Sequence, residues 1–488
     1  MRYLTFFLLL SCTMVVAQKK SLKAIDDFIT LPGIESHIRF LSADEMRGRN
    51  TGSPELDIAA NYLMTQFMSA GVTPGDGHSY FQAVSLMRLP VPGKVELTLE
   101  VDGASGSMAG VLIEGHSAQL TKPVVYAGYG TAADFDKVDV NGKIVVCLFG
   151  SQGSTKINEG ILRTAPAKRL LASERGAQAL VEIMALPGVP WGALQNYFSK
   201  SRVTLQEEES GIPHILIQNS EADPLKSLMQ KSSGSGSLVV EVALATTVSA
   251  KNVVGVIRGS DASLREEYVA VTAHYDHVGV NRQAGQDSIF NGARDNAIGT
   301  TALLETARFF AKNPTKRSIL LIAFTAEEVG LLGSNWYAEH PVIPLKQTVF
   351  DLNCDGAGYN DTSIATVIDF NRTSADELLR QACTGAGLQL KGDPAPEQGL
   401  YDRSDNVNFA RKGVPSVNIS PGVKAFDKEL MKYYHQPADE AGTLDMAYLA
   451  KFYRAMLRSV FLLGNAADAP TWKANDKYEA AAKTLYIK

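Results

Sequence analysis

Hydrophobic positions along the chain change texture twice, and each texture predicts a different kind of element. In the first stretch, Leu56, Ala59, Ala60, Leu63 and Phe67 recur at helical spacing. Ser53 and Pro54 precede them as cap and first-turn residue, and Gly71 follows as a stop, so the pattern predicts one amphipathic helix. From about Val95 to Val248 the runs shorten and turn β-rich between glycines: Val124 to Tyr126, Ile144 to Phe149, and Ile215 to Ile217. One helical stretch, Ala165 to Arg175, interrupts them, and Ser232 to Ser237 reads as a glycine-serine linker. None of these short runs carries a cluster of acids or histidines, which argues for a separate, non-catalytic module. Beyond Asn252, the continuous apolar runs Val253 to Ile257, Tyr268 to Ala273 and Ser318 to Phe324 suit strands buried on both faces. An amphipathic helix, Thr300 to Phe310, separates two of them. This alternation predicts an α/β unit, a mixed and largely parallel sheet sandwiched by helices, with chemistry at the carboxyl ends of the strands. The expected organisation is thus 18–94 and 249–488 as one catalytic domain, with 95–248 inserted between them.

Length and composition narrow the class without naming a function. A chain of 488 residues favours two or three compact units, and 45% hydrophobic with 20% charged residues is the balance of a chain that folds throughout. Net charge is only −5 and no lysine or arginine cluster is present, so nucleic acid is not an expected partner. At the amino end Arg2 precedes an apolar run from Tyr3 to Val16 that closes on Val15-Val16-Ala17. This is the pattern of a secretory signal cleaved after Ala17, predicting a secreted or periplasmic protein. A lipoprotein reading through Cys12 ranks second, because the apolar run continues past it. No other segment approaches the ~20 apolar residues of a permanent membrane span. Beyond the leader, Cys147, Cys354 and Cys383 are odd in number and far apart, so no disulfide scaffold is expected and buried packing explains each thiol.

Candidate chemistry gathers at the ends of the predicted strands. Val269 to Ala273 runs into His274-Tyr275-Asp276-His277, where alternation puts His274 and Asp276 on one side; Asp276 can accept from the imidazole or reach the same metal. His277 keeps the reading of a packing residue. Asp295, in Asn291-Gly292-Ala293-Arg294-Asp295-Asn296, lies just before a helix, where a carboxylate is favoured and could equally be a simple cap. Ile319 to Phe324 delivers Glu327 and Glu328 into a glycine-rich turn. Adjacent buried acids repel unless one is protonated or a cation is near, and one acid on metal with the other on water removes the conflict. Asp355 ends the short run Val349 to Cys354, and His435 sits in a proline-containing loop. Any one of these could be structural. Together they offer mixed nitrogen and oxygen ligands at successive ends of one sheet, a set that suits zinc and can share a carboxylate between two ions.

These residues resemble the zinc aminopeptidases of peptidase family M28. The resemblance rests on the Leu41 to Gly52 opening, His274-Tyr275-Asp276, Gly292 to Asn296, Glu327-Glu328 with the Gly330 to Ser334 turn, Asn353-Cys354-Asp355 and Tyr434-His435. It implies a zinc exopeptidase fold and two Zn2+ ions. Asp295 would bridge them, with His274 and Asp355 completing one site and Glu328 and His435 the other. It further implies Glu327 as general base, Asp276 as the acid that orients His274, and peptides with a free amino end as substrates. Tyr434 is then a candidate donor to the developing oxyanion, or a packing residue. The middle module resembles a protease-associated (PA) domain through Val124 to Gly130, Val140 to Val146 and Arg175 to Ala179.

Two positions depart from the family pattern. Arg294 places a cation beside the bridging acid, and Ile298 replaces a small residue. Asp405 could contact a substrate amine or cap a helix. The competing readings are a carboxypeptidase of the same fold, in which Arg294 or Arg403 would hold a terminal carboxylate, a dipeptidase of that fold, a single-zinc acyltransferase resembling glutaminyl cyclase, and an inactive receptor-like binding protein.

Overall fold

The computed structural model describes residues 19–153, 164–184, 186, 190–206, 211–218, 223–282, 285, 287–356 and 358–487. The expected leader, with Cys12, lies outside them. The chain divides into two units, one formed by the residues up to Val84 together with Ser249–Lys488, the other by Ser85–Val248. The second unit begins at Ser85 rather than at 95, because the strand Leu86–Leu89 pairs with Arg202–Leu205 and Thr246–Val248 in a small sheet of that unit.

In the first unit, Ser318–Phe324, Tyr268–His274, Thr348–Cys354 and Ser416–Pro421 lie side by side in parallel at the centre of a nine-stranded sheet. Lys251–Ile257 pairs antiparallel on one flank and Ile364–Ile368 on the other, so the sheet is mixed around a parallel core. Burial on both faces explains the unbroken apolar runs, because successive side chains serve different cores. Val269, Val271, Ala273, Ile319, Leu321 and Ala323 pack with Leu303, Phe310 and Tyr453 of the helices Ile298–Phe310 and Met446–Asn465. Their neighbours Ala270, Leu320, Ile322 and Phe324 pack with Tyr337 and Phe409 on the opposite face. The predicted amphipathic helix is Pro54–Ala70; Ser53 caps it by accepting from the Leu56 amide, and Gly71 ends it at φ 91°.

The second unit is a closed seven-stranded barrel in the order His214–Gln218, Ala104–Glu114, Val95–Val101, Ser233–Val240, Ala118–Tyr126, Ile144–Leu148, Ala179–Met184. Its core holds Leu97, Leu99, Val124, Val146, Val181 and Ile217. Ser232 to Ser237, expected as a linker, belongs instead to the barrel strand Ser233–Val240, hydrogen-bonded on both sides. Glycine serves close packing there rather than flexibility: a Cβ at Gly234 would come within 2.7 Å of Val101 Cγ2, and one at Gly236 within 2.7 Å of Val124 Cγ2. The barrel also gathers an ionisable cluster that the sequence did not reveal. Lys168 Nζ donates to Glu182 Oε1 at 2.5 Å, and His214 Nε2 lies 3.3 Å from Glu182 Oε2, all three buried.

Cys147, Cys354 and Cys383 are buried and unbridged, as expected. Among the described residues, no helix is long and apolar enough to cross a membrane.

Candidate metal centre

The parallel strands of the first unit deliver their polar ends to one place. Tyr268–His274 ends on His274, Ser318–Phe324 leads to Glu327 and Glu328, and Thr348–Cys354 leads to Asp355. Asp295 lies in the irregular turn Ala293–Ala297 that opens the helix Ile298–Phe310. That helix start is pressed onto the strand ends: Asn296 Nδ2 donates to the Cys354 carbonyl at 2.9 Å, and the Thr300 hydroxyl to the His274 carbonyl at 2.9 Å. Only glycine fits at 299, where a Cβ would stand 2.2 Å from the Cys354 oxygen. Ala326, just before the two glutamates, adopts φ 57°, and His435 adopts φ 50°. Both are left-handed conformations of the kind that concentrates at functional sites.

Two trios of donor atoms result, and they share Asp295. His274 Nε2 is 3.2 Å from Asp295 Oδ1 and 3.2 Å from Asp355 Oδ1. His435 Nε2 is 3.1 Å from Asp295 Oδ2 and 3.2 Å from Glu328 Oε2. Zinc binds such ligands at ~2.0–2.2 Å, so adjacent ligands of a tetrahedral site lie ~3.3–3.6 Å apart. The observed spacings of 3.1 and 3.2 Å fall just short of that edge, and the donor set could therefore hold zinc with a small outward adjustment. Glu327 stands with His274 and Asp355 in one group of potential ligands, and His277 with Asp295, Glu328 and His435 in another.

Burial raises the proton affinity of several acids here. It pushes the Glu327 carboxyl well above its ordinary range; the His274 imidazole opposes this, while Asp355 and Glu328 reinforce it. For Asp295 burial also acts upward, but hydrogen bonds from His274 and His435 outweigh it and hold the carboxylate ionised. Burial likewise raises the Tyr434 phenol, so it remains a proton donor, its ring stacked on His435 at 4.2 Å.

Asp276 acts differently from the expected acid partner of His274. His274 Nδ1 meets the Asp276 backbone oxygen at 3.1 Å, while the nearest carboxylate oxygen is 3.9 Å away. The Asp276 carboxylate instead accepts from the amides of Glu327 and Glu328, at 3.1 and 3.3 Å, and from the Thr51 hydroxyl at 3.0 Å. It thus fixes the turn that presents both glutamates. A backbone carbonyl serves as well as a carboxylate to set the imidazole tautomer, leaving Nε2 toward the acids.

His277, expected only to pack, is drawn into the cluster, with Nδ1 2.6 Å from Glu328 Oε1. It holds one oxygen of Glu328 while the other faces His435. The signal was present in its position three residues past His274, but strand alternation pointed away from it.

Arg49 is a second residue that strand-end reasoning could not find. Fully buried, it donates to the carbonyls of Leu41, Tyr275, Asn291 and Gly292.

Arg294 turns away from the centre. Its guanidinium lies 3.2 Å from Asp439 Oδ1, donates to Thr443 Oγ1 at 2.6 Å and stacks 3.6 Å over the Tyr433 ring. Ile298 is simply core. Asp405 takes neither expected role: it makes no cap hydrogen bond to the helix Asn406–Arg411, and it is fully buried rather than lining the cavity. Burial raises its carboxyl to about 8.

A cavity of about 210 Å³ opens over the cluster, lined by His274, Asp295, Glu327, Glu328, Asp355 and His435 on one side. Ile368, Leu400, Val423, Phe426 and Met431 supply an apolar wall, and Arg403 and Tyr434 also reach it.

Comparison with known proteins places this arrangement. Aminopeptidase YwaD of Bacillus subtilis is 27% identical over 372 residues, covering 73% of this chain and 70% of that protein. The "Probable zinc metalloprotease" of Leptosphaeria maculans is 28% identical over 354 residues, covering 64% and 80%. The solved aminopeptidase from Aneurinibacillus sp. strain AM-1 shares the fold with a TM-score of 0.55 and 22% identity, covering 91% of this chain and 96% of its own. The model of peptidase family M28 matches residues 252–460, the stretch that holds all the strand-end acids and histidines described above.

Proposed function

We propose that the protein is a secreted two-zinc aminopeptidase that removes the residue at the free amino end of a peptide. The observation that carries this reading is the sharing of Asp295 between two donor trios, with the two histidines 3.1 and 3.2 Å from its separate oxygens. His274, Asp295 and Asp355 would hold one ion, and Asp295, Glu328 and His435 the other. Asp355 at 3.2 Å from His274 supports two ions over one. Bound there, zinc supplies Lewis-acid polarisation of the peptide carbonyl and acidifies the attacking water.

The remaining steps belong to the chain. Glu327 is half-buried and its proton affinity is raised, as suits a general base. It takes the proton of the attacking water and returns it to the leaving amine. Tyr434 keeps its phenolic proton and can donate to the oxygen that gains charge at the carbonyl carbon. Asp276 holds the Glu327 and Glu328 amides, so the base and its metal-holding neighbour keep separate directions. The relative in Bacillus subtilis bears the name aminopeptidase, which supports action at a free amino end. The pattern of residues 2–17 supports export, and the runs Val124 to Gly130 and Val140 to Val146 support a PA identity for the Ser85–Val248 unit.

The test is hydrolysis of an aminoacyl substrate, free or acetylated at the amino end, before and after chelation. Activity on the free form alone, lost on metal removal and restored by zinc, is the expected result. Turnover that persists without metal, or equal cleavage of the acetylated substrate, refutes the reading.

A further inference from the structure

The cavity over the strand ends is strongly acidic, yet one arginine lines it. Arg403 is exposed, and among the described residues no carboxylate of the chain pairs with it. Its direction is set by its neighbours. On one side the Asp402 carboxylate is held by Lys477 at 2.8 and 2.9 Å and by the Tyr478 hydroxyl at 2.9 Å. On the other, Ser404 Oγ accepts from Asn353 Nδ2 at 2.8 Å, and the buried Tyr401 donates its hydroxyl proton to the Ser416 carbonyl at 2.9 Å. Two residues of the turn Leu400–Arg403, Tyr401 and Asp402, and Ser404 just past its end are thereby tied down, and Arg403 is left to the cavity.

A guanidinium with open donors recognises a carboxylate better than any other common group, through paired parallel hydrogen bonds. The cavity volume limits where that carboxylate can come from. At about 210 Å³ it falls below the ~300–1,000 Å³ of sites for drug-sized ligands, so the part of a peptide inside it is one or two residues, and a carboxylate that meets Arg403 there belongs to one of them. The wall of Ile368, Leu400, Val423, Phe426 and Met431 accepts an apolar side chain, and Arg403 lies within the same small space. Arg294 cannot share this task, being committed to Asp439 and Thr443.

We infer that Arg403 holds a carboxylate of the substrate, and that the preferred substrates are short peptides, dipeptides above all, whose own terminal carboxylate reaches it. This inference rests on the aminopeptidase reading above and narrows it to a substrate class. It makes Arg403 a binding residue that discriminates by substrate charge.

The test uses the zinc-loaded full chain and four peptides: Leu-Ala, Leu-Ala amide, Leu-Glu amide and Glu-Ala amide. Loss of one charge-assisted contact corresponds to about 10- to 100-fold in kcat/KM. The expected result is that Leu-Ala exceeds Leu-Ala amide by that factor, mainly through KM. In Arg403→Met the ratio falls toward one, while Arg403→Lys retains part of it. Zinc content and melting temperature should match the parent in both variants, since the side chain is exposed. A preference for Leu-Glu amide or Glu-Ala amide over Leu-Ala amide, erased in Arg403→Met, would keep the carboxylate contact and assign it to an acidic side chain. Equal rates on all four peptides, or a preference that survives in Arg403→Met, overturns the inference. Cleavage of none of the four by the zinc-loaded parent would instead sink the aminopeptidase reading itself.

Discussion

At the scale of single residues, the proposed function gives the two adjacent glutamates of one turn separate tasks. Glu328 faces His435 and His277, whereas Glu327 groups with His274 and Asp355 and has the raised proton affinity of a base. Glu327→Gln should therefore retain zinc and lose turnover by about 10²- to 10⁴-fold, while His435→Ala should lose zinc; metal analysis beside a rate assay distinguishes them. Equal metal content and equal rates in the two variants would refute the division of roles. Deeper in the sheet, Asp351 accepts from Ser416 Oγ at 2.5 Å and Thr272 Oγ1 at 2.8 Å, and burial pushes its carboxyl up to about 7. A proton is then held more tightly in the folded state than in the unfolded one. Its contribution to stability is complete below the ordinary value of 3.8 and is lost as pH rises through about 7, at about 1.4 kcal/mol per pH unit. Urea unfolding at about pH 5 and about pH 8 should show a larger loss in the parent than in Asp351→Asn, whose amide carries no such titration. An identical loss in both proteins would exclude Asp351 as a contributor.

At the scale of elements, what the sequence disclosed and what it hid follow from distance along the chain. His274, Asp295, Glu327, Glu328 and Asp355 each sit at the end of an apolar run or the start of a helix, so local pattern exposed them, and the parallel sheet then brought them together. The supports come from elsewhere. Thr51 reaches Asp276 and Arg49 reaches the carbonyls of Tyr275, Asn291 and Gly292 from a segment more than two hundred residues earlier, and no periodicity records such a contact. The partner of His274 Nδ1 is only two residues away and was hidden for a different reason, being a backbone oxygen with no side-chain signature. Glycine misled for a related reason: in Ser233–Val240 it marks close approach of neighbouring side chains, which composition alone cannot tell from a flexible joint. The loop holding Arg49 offers a direct check. Removing its guanidinium leaves buried carbonyls without donors and releases the strand end from the Asp295 loop. Arg49→Met should weaken zinc affinity by about 10- to 100-fold in a chelator-competition titration, with Arg49→Lys intermediate. Unchanged affinity in Arg49→Met would show that the early segment packs against the centre without shaping it.

At the scale of the whole molecule, the two units rest on different kinds of stabilisation. The sheet unit has its donor cluster at the strand ends, and any ion bound there stabilises the folded form by mass action, about 2.7 kcal/mol when free ion is a hundredfold above its dissociation constant. The barrel has its own apolar core and, buried on the opposite face of its strand Ala179–Met184, the Lys168–Glu182 pair at 2.5 Å with His214 alongside. Deleting one member of such a pair strands the other charge, at a cost of about 3–5 kcal/mol. Because each unit has an apolar core of its own, calorimetry should resolve two transitions. Chelation should lower one of them and leave the other in place, whereas Glu182→Gln should do the reverse. The pairing of perturbation with transition is the informative part, since either change alone could reflect general weakening. If chelation and Glu182→Gln each shift both transitions together, the barrel and the sheet unfold as one body, and the zinc sites stabilise the entire chain rather than the unit that holds them.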